Sequence, residues 1–260
     1  VDGDYNELTI SNILVKTKGE FIVSSTINNS KGSNVNYANA AGAYGNIECD
    51  SKKTIIIDPV FIDKVDDSID SDNSEIKISA SATSSESFGN AYAGGLFGYL
   101  DAANSNQVSF SKSFGTSDKI IFCNDLEVIA TQNGYSQAYA GGIFAYNAYE
   151  FFDFSEKVKF ILNRDNHSIS IKAVQTTTAK NKNDDEYHPP VCAGFFSSYL
   201  PYNYSIKNLE VDISNGSVLA TREIGSVASG SIYAGTIAGY AEGNNDGKSS
   251  FSNIVINLTD

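Results

Sequence analysis

Polar and apolar positions alternate with a period of two along most of the chain. Val158, Phe160 and Leu162 point one way, Lys157 and Lys159 the other. Leu209, Val211 and Ile213 oppose Glu210 and Asp212. Alternation over a few residues marks half-buried strands, and no stretch sustains the 3.6-residue period of an amphipathic helix. Gly, Asn and Ser fill the joints, and there are only four prolines to break pairing.

The runs recur in a fixed order. A first strand is expected at LTISNILVKT (8–17), at QVSFSKSF with DKIIFC (107–123), at FDFSEKVKFIL (152–162) and at YSIKNLEVDI (204–213). A second follows at FIVSST (21–26), EIKISASAT (75–83), DLEVIAT (125–131), SISIKAV (168–174) and SVLAT (217–221). The third is a glycine strand: ANAAGAYGN (38–46), AYAGGLFGY (91–99), AYAGGIFAY (138–146), VCAGFFSSY (191–199) and IYAGTIAGY (232–240). Its Ala-Gly step puts glycines at Gly42, Gly94, Gly141, Gly194 and Gly235, with spacings of 52, 47, 53 and 41 residues. FSNIVINL (251–258) resembles a sixth first strand.

Self-similarity of this period means one structural unit per repeat. A propeller blade has four strands, whereas three recur here, and length varies between strands, at 58–74 and 176–190. Corner insertions suit a solenoid, because each coil touches only its neighbours. The expected fold is therefore all-β: a right-handed parallel β-helix, or β-solenoid, of about five three-strand repeats with corner loop insertions. It forms one domain over 1–260, with repeats at 8–48, 49–102, 103–148, 149–201 and 202–243 and a partial sixth strand at 244–260.

At the glycine strand, Gly95-Leu96-Phe97-Gly98 resembles the GLUG motif, a short Gly-Leu-hydrophobic-Gly repeat found in tandem in large secreted and surface-attached proteins. Gly142-Ile143-Phe144-Ala145 departs from it at two positions, and Thr236-Ile237-Ala238-Gly239 at the first two. The fourth copy keeps little beyond Ala193-Gly194 and Tyr199. The resemblance implies a repetitive, extracellular, β-rich and adhesive or structural protein, and it implies no catalytic residue.

On a regular pleat, Tyr92, Gly94, Leu96 and Gly98 share one face and Ala93, Gly95, Phe97 and Tyr99 the other. Neither face carries a charge, so the sheet is expected to be covered on both sides. Tyr92, Tyr99, Tyr139, Tyr146, Tyr199, Tyr233, Tyr240, Phe97 and Phe144 are the candidate assembly or ligand face. Stacked aromatics suit both interface cores and flat ligands. The glycines also admit a plainer role, relief of crowding in a narrow coil.

Charge and composition narrow the partners. Eighteen basic residues against 31 acidic give a net charge of −13, with Arg164 and Arg222 the only arginines. A nucleic-acid footprint needs a basic stripe, and anionic membranes are disfavoured for the same reason. No window is long and apolar enough to insert in a membrane as a helix. The chain holds no Met, so Val1 is not a translation start, and a matured product or a segment is expected.

Candidate chemistry is sparse. Cys49, Cys123 and Cys192 lie about 70 residues apart with no CxxC, and are expected as buried small hydrophobes or as one pair and a free thiol. His167 and His188 sit in no zinc or triad pattern. Phosphate-loop and nucleophile-elbow motifs are missing. Calcium is the one candidate ion, with no other cofactor expected. Asp2, Asp4 and Asn6, and Glu242, Asn244, Asp246 and Gly247, have calcium-loop spacing, but Ile13 and Asn253 stand where the closing acid belongs. The corner of Asp63, Asp66, Asp67, Asp70 and Asp72 is a further acidic cluster. Sequons at Asn28, Asn166, Asn203, Asn215 and Asn257 are N-glycosylation candidates if the chain is secreted by a eukaryote.

The expected function is that of a non-enzymatic extracellular or cell-surface protein. It would be a subunit or segment of a filament, assembled head to tail with itself or with flanking repeats. The alternative is an adhesin or carbohydrate-binding solenoid. An ice-binding face needs a flat ladder of regularly spaced Thr, and in the sequence Thr176-Thr177-Thr178 stands alone.

Overall fold

The computed structural model describes residues 8–11, 14–17, 20–29, 36–49, 53–57, 61–64, 75–84, 89–102, 107–110, 125–134, 136–147, 151–161, 167–177, 190–200, 205–224, 231–242 and 250–259. All of the regular structure among these residues is β, and every strand pair among them is parallel. The chain is a parallel β-solenoid in which like strands of successive coils stack into sheets.

One five-stranded sheet holds β3 (Phe21–Asn29), β8 (Glu75–Ser84), β12 (Asp125–Asn133), β16 (Ile169–Thr177) and β20 (Gly216–Ile224). These are the five second strands expected from the sequence. Their register runs unbroken from Phe21 through Ile76, Leu126 and Ile169 to Gly216. Period two decides which residues enter. Ile78, Val128 and Ile171 are fully buried in one column and Ala80, Ala130 and Ala173 in the next, while Lys77 and Glu127 face outward and pair at 2.6 Å.

The first strands fall into shorter sheets. β1 (Leu8–Ser11), β6 (Lys53–Ile57) and β11 (Gln107–Phe110) form one, and β2 (Leu14–Thr17) pairs with β7 (Phe61–Lys64) in a second. β15 (Phe151–Ile161) pairs with β19 (Ser205–Ser214), which carries β23 (Ser250–Ser252) and β24 (Val255–Thr259) on its other edge. Three expectations are corrected here. LTISNILVKT is two strands, not one. The second repeat has a first strand at 53–57 that the alternation pattern does not reveal. The 58–74 segment is not all corner loop, since 61–64 is a strand and Asp63 lies on it. The sixth first strand is present as β23 and β24, in register with Ile206 and Val211.

The glycine strand is also two strands. β4 (Asn36–Ala41), β9 (Gly89–Gly94), β13 (Ala138–Gly141), β17 (Val191–Gly194) and β21 (Ile232–Gly235) form one sheet. β5 (Tyr44–Cys49), β10 (Phe97–Ala102), β14 (Phe144–Asn147), β18 (Ser197–Leu200) and β22 (Ala238–Ala241) form the next. A two-residue bend joins each pair, at 42–43, 95–96, 142–143, 195–196 and 236–237. Hydrogen bonds continue through it: Gly95 N donates to Gly141 O at 2.9 Å, and Gly142 N to Gly194 O at 3.0 Å. The register also moves the first-repeat glycine by one place, because Ala41, not Gly42, pairs with Gly94.

Space explains the glycines before the bend. A Cβ on Gly94, Gly141, Gly194 or Gly235 would collide with the carbonyl group three residues on, across the bend. An added Cβ at Gly141 would lie 2.5 Å from Phe144 C and closer still to its oxygen.

Candidate functional site

The bend resets the pleat, and this builds the site. Ala91 and Ala93 point into the main core, Tyr92 points out, and Leu96 and Phe97 both return to the core. Pairing then skips Gly98, Ala145, Ser198 and Gly239, so that Tyr99 comes out on the same side as Tyr92. The expected face assignment is therefore wrong beyond the bend. Tyr92 and Tyr99 lie together with centroids 5.6 Å apart, rather than on opposite faces. Phe97 and Phe144 leave the candidate face altogether. They are buried in the core and stacked at 4.9 Å.

Outside the core, the tyrosines form a second apolar cluster of two columns. The inner column runs Asn39, Tyr92, Tyr139, Cys192, Tyr233. The outer one runs Asn46, Tyr99, Tyr146, Tyr199, Tyr240. Tyr99 to Tyr146 spans 5.0 Å and Tyr146 to Tyr199 5.2 Å, with planes within 6° of parallel. Tyr139 stacks on both Tyr146 and Tyr199, and Tyr233 on Tyr240. Tyr37 extends the stack at its first coil, against Tyr92 and Tyr99. The rung spacing of a parallel sheet, ~4.8 Å, is close to aromatic stacking distance, so in-register rings stack without distortion.

The outer face of the glycine strand is thus covered by its own side chains. Tyr92, Tyr139 and Cys192 are buried, and the tyrosines of the outer column are half-buried. Hydroxyl groups find partners at the edges. Tyr92 donates to Gln137 Oε1, and Tyr199 to Glu242 Oε2. Burial pushes the Tyr92 and Tyr139 phenols well above the usual tyrosine range, with neighbouring tyrosines adding to the shift. Burial pushes the Cys192 thiol up strongly as well, so it stays protonated at neutral pH and is no nucleophile.

Other candidates scatter. Asn28, Asn215 and Asn257 are exposed, and Asn257 Nδ2 donates to Asp212 at 2.7 Å. Asn166, Asn203, Cys123, His188, Asp2, Asp4, Asn6, Ile13, Asn244, Asp246, Gly247, Asp66, Asp67, Asp70 and Asp72 lie outside the described residues. Cys49 ends β5. His167 faces Asp125 at 3.7 Å, and Asp125 also accepts from Ser168 N at 2.5 Å. Among the described residues, no group of three or more His, Cys, Asp or Glu side chains is placed to hold a metal ion.

Two arrangements are not apparent in the sequence. Gln132, Gln175 and Arg222 form a polar column near the ends of the second strands, with both glutamines buried and Arg222 half-buried. Gln175 Nε2 donates to Gly134 O and Ser136 O at 2.9 and 3.0 Å, and Arg222 Nε to Gln175 Oε1 at 2.5 Å. The two residues other than Arg are uncharged and scattered in sequence, so only the register shows the column. Thr176 does not stand alone either. It sits in register with Asn28, Thr83, Asn133 and Glu223, beside a column of Thr26, Ser81, Thr131, Val174 and Thr221.

No protein-family model, curated protein or solved structure matches this chain.

Proposed function

We propose that the chain is a non-enzymatic structural protein of the cell surface or extracellular space. It acts as a filament subunit or fibre segment whose last coil is completed by another β-coil. One observation carries the reading. The core is closed between coils and open at the last one. Val191 is 0% exposed, but Ile232, in register on the next coil, is 45% exposed. Ile206 at 0% gives way to Phe251 at 45%, and Ile213 at 1% to Leu258 at 66%.

A coil whose core side chains stand exposed is a template for another strand layer. The contact is heterologous, one end on the other, so it need not close and propagates as a fibre. The first coil continues the same columns: Ala38 and Ala40 match Ile232 and Ala234 in register position. A second copy therefore extends the existing layers rather than starting new ones.

The tyrosine ladder supports assembly over glycan binding, because its ring faces are already stacked against one another. The extracellular setting rests on the GLUG resemblance of Gly95–Gly98. The test is electron microscopy with sedimentation over a range of protein and calcium concentrations. Rods that lengthen with concentration support the proposal. A monomer under every condition overturns the filament reading.

A further inference from the structure

The outer tyrosine column places like phenol rings on three successive coils in one register. Tyr99, Tyr146 and Tyr199 are in register on parallel strands, so their side chains project in the same direction. Their planes are 5° and 6° from parallel, at centroid separations of 5.0 and 5.2 Å. Like carbons of successive rings, the ortho positions included, are thus set apart by about the centroid separation. We propose that this column is a latent covalent staple: oxidation by hydrogen peroxide and a haem peroxidase joins Tyr146 to Tyr99 or Tyr199 as dityrosine.

The chemistry balances without further reagents. Each of two phenols gives up one electron and its hydroxyl proton. The two phenoxyl radicals form a carbon–carbon bond between ortho positions, and the two displaced ring hydrogens move to the oxygens and restore the phenols. Peroxide takes up both electrons and both protons and leaves as two waters, so the chain loses two hydrogens per link.

The surroundings select the outer column over the inner one. Tyr99, Tyr146 and Tyr199 are half-buried and reach solvent along one edge, whereas Tyr92 and Tyr139 do not. The inner column is also interrupted, by Asn39 at one end and Cys192 in the middle. Burial further opposes loss of the hydroxyl proton at Tyr92 and Tyr139. At Tyr199 a carboxylate, Glu242, already accepts that proton in a hydrogen bond. A link between coils closes a long loop of the chain, and like a disulfide it restricts the unfolded state.

The test treats the dilute native chain with horseradish peroxidase and hydrogen peroxide, then maps links by peptide mass spectrometry and dityrosine fluorescence. Expected are links of 99 to 146 or 146 to 199 within one chain, an intact mass lower by two hydrogens per link, and a raised melting temperature. Tyr146→Phe, which keeps the ring and its packing, should cut the fluorescence by more than half. Tyr44→Phe, in the core stack on Phe97, should leave it unchanged. Coupling in guanidinium should lose its site preference. The proposal is overturned if links run mainly between chains, if they map away from the outer column, or if Tyr146→Phe leaves the yield unaltered. Because the readout is within one chain, it stands or falls separately from filament formation.

Discussion

Gly141→Ala is the sharpest test of the bend. Gly141 has an ordinary backbone conformation, so space and not φ is what an added methyl contests. The new Cβ would lie 2.5 Å from Phe144 C, nearer to its oxygen, and 3.1 Å from Ala145 N. All three are backbone atoms held in place by neighbouring coils, since Phe144 N donates to Phe196 O. Two effects oppose each other. Replacing Gly by Ala stiffens the unfolded chain, worth ~0.4–1 kcal/mol where the native site tolerates it. Overpacking costs ~1–3 kcal/mol, and more where only backbone can yield. Opening the bend also parts Tyr139 from Tyr146, now 5.9 Å apart, for a further ~0.5–1.5 kcal/mol. The net loss expected is about 3 kcal/mol, read as a lower urea midpoint together with a weaker near-ultraviolet tyrosine signal. Gly45→Ala is the milder comparison, because its Cβ meets Asn39 O at 3.1 Å with no closer contact, and it should cost clearly less than Gly141→Ala. The first coil itself carries Ala41 in the register position of Gly94. A Gly141→Ala variant with unchanged midpoint and tyrosine signal would refute the crowding account.

Four further outcomes are expected. Ile232→Lys with Leu258→Lys should abolish rods seen by electron microscopy while leaving the circular dichroism of the coils in place; rods that persist would remove the open end as the contact. Phe144→Ala, which empties a site between Phe97 and Phe196, should cost ~3–5 kcal/mol in denaturant titrations. Stability should fall as pH rises above about 10: Tyr92 and Tyr139 have folded pKa values raised above the unfolded value, so the folded state holds its protons longer, and each adds a slope of about 1.4 kcal/mol per pH unit. Below that pH the contribution is intact, and alkaline denaturation monitored by tyrosine absorbance checks the sign. Cys192 should resist thiol reagents in the folded chain and react at once in guanidinium; rapid labelling of the native chain would contradict its burial.

The second strands are legible in the sequence because their core columns keep strict alternation, from Ile76 to Ala82 and from Leu126 to Ala130, with no bend to disturb parity. The glycine strand is legible as a repeat but not as a shape. Its motif fixes where small residues recur, yet parity across Gly95-Leu96 depends on a bend, and a two-residue bend is invisible to an alternation rule. Alternation alone therefore puts Tyr92 and Tyr99 back to back, when the chain folds them face to face. The first strand of the second repeat is hidden for a different reason. Lys53–Ile57 is a polar pair followed by three consecutive isoleucines, without the aromatic lead of its counterparts. Phe97 is misplaced by the pattern because a core aromatic and a surface aromatic look alike once parity is lost.

The two apolar clusters end differently, and this difference bears on assembly. Among the described residues the inner core ends on the exposed Ile232, Phe251 and Leu258, side chains that would gain burial from a further coil. The outer ladder ends there on Tyr233 and Tyr240, already stacked on each other at 4.7 Å. At the other end it finishes on Tyr37, 44% exposed, and on Asn39, whose buried Oδ1 has no hydrogen-bond partner among the described residues. Burying the exposed apolar surface at ~25 cal/mol per Å² favours contact through the core end. Register is set elsewhere. A slip of one residue would put Tyr233 against Ala38 or Ala40, whereas in-register addition sets Tyr233 and Tyr240 over Asn39 and Asn46 of the next copy, beside Tyr37, which already stacks on Tyr92 and Tyr99. Affinity from the exposed core end and register from the end of the tyrosine ladder are separable, so core-end lysines should stop growth, whereas Tyr240→Ser should permit contact but lower its order.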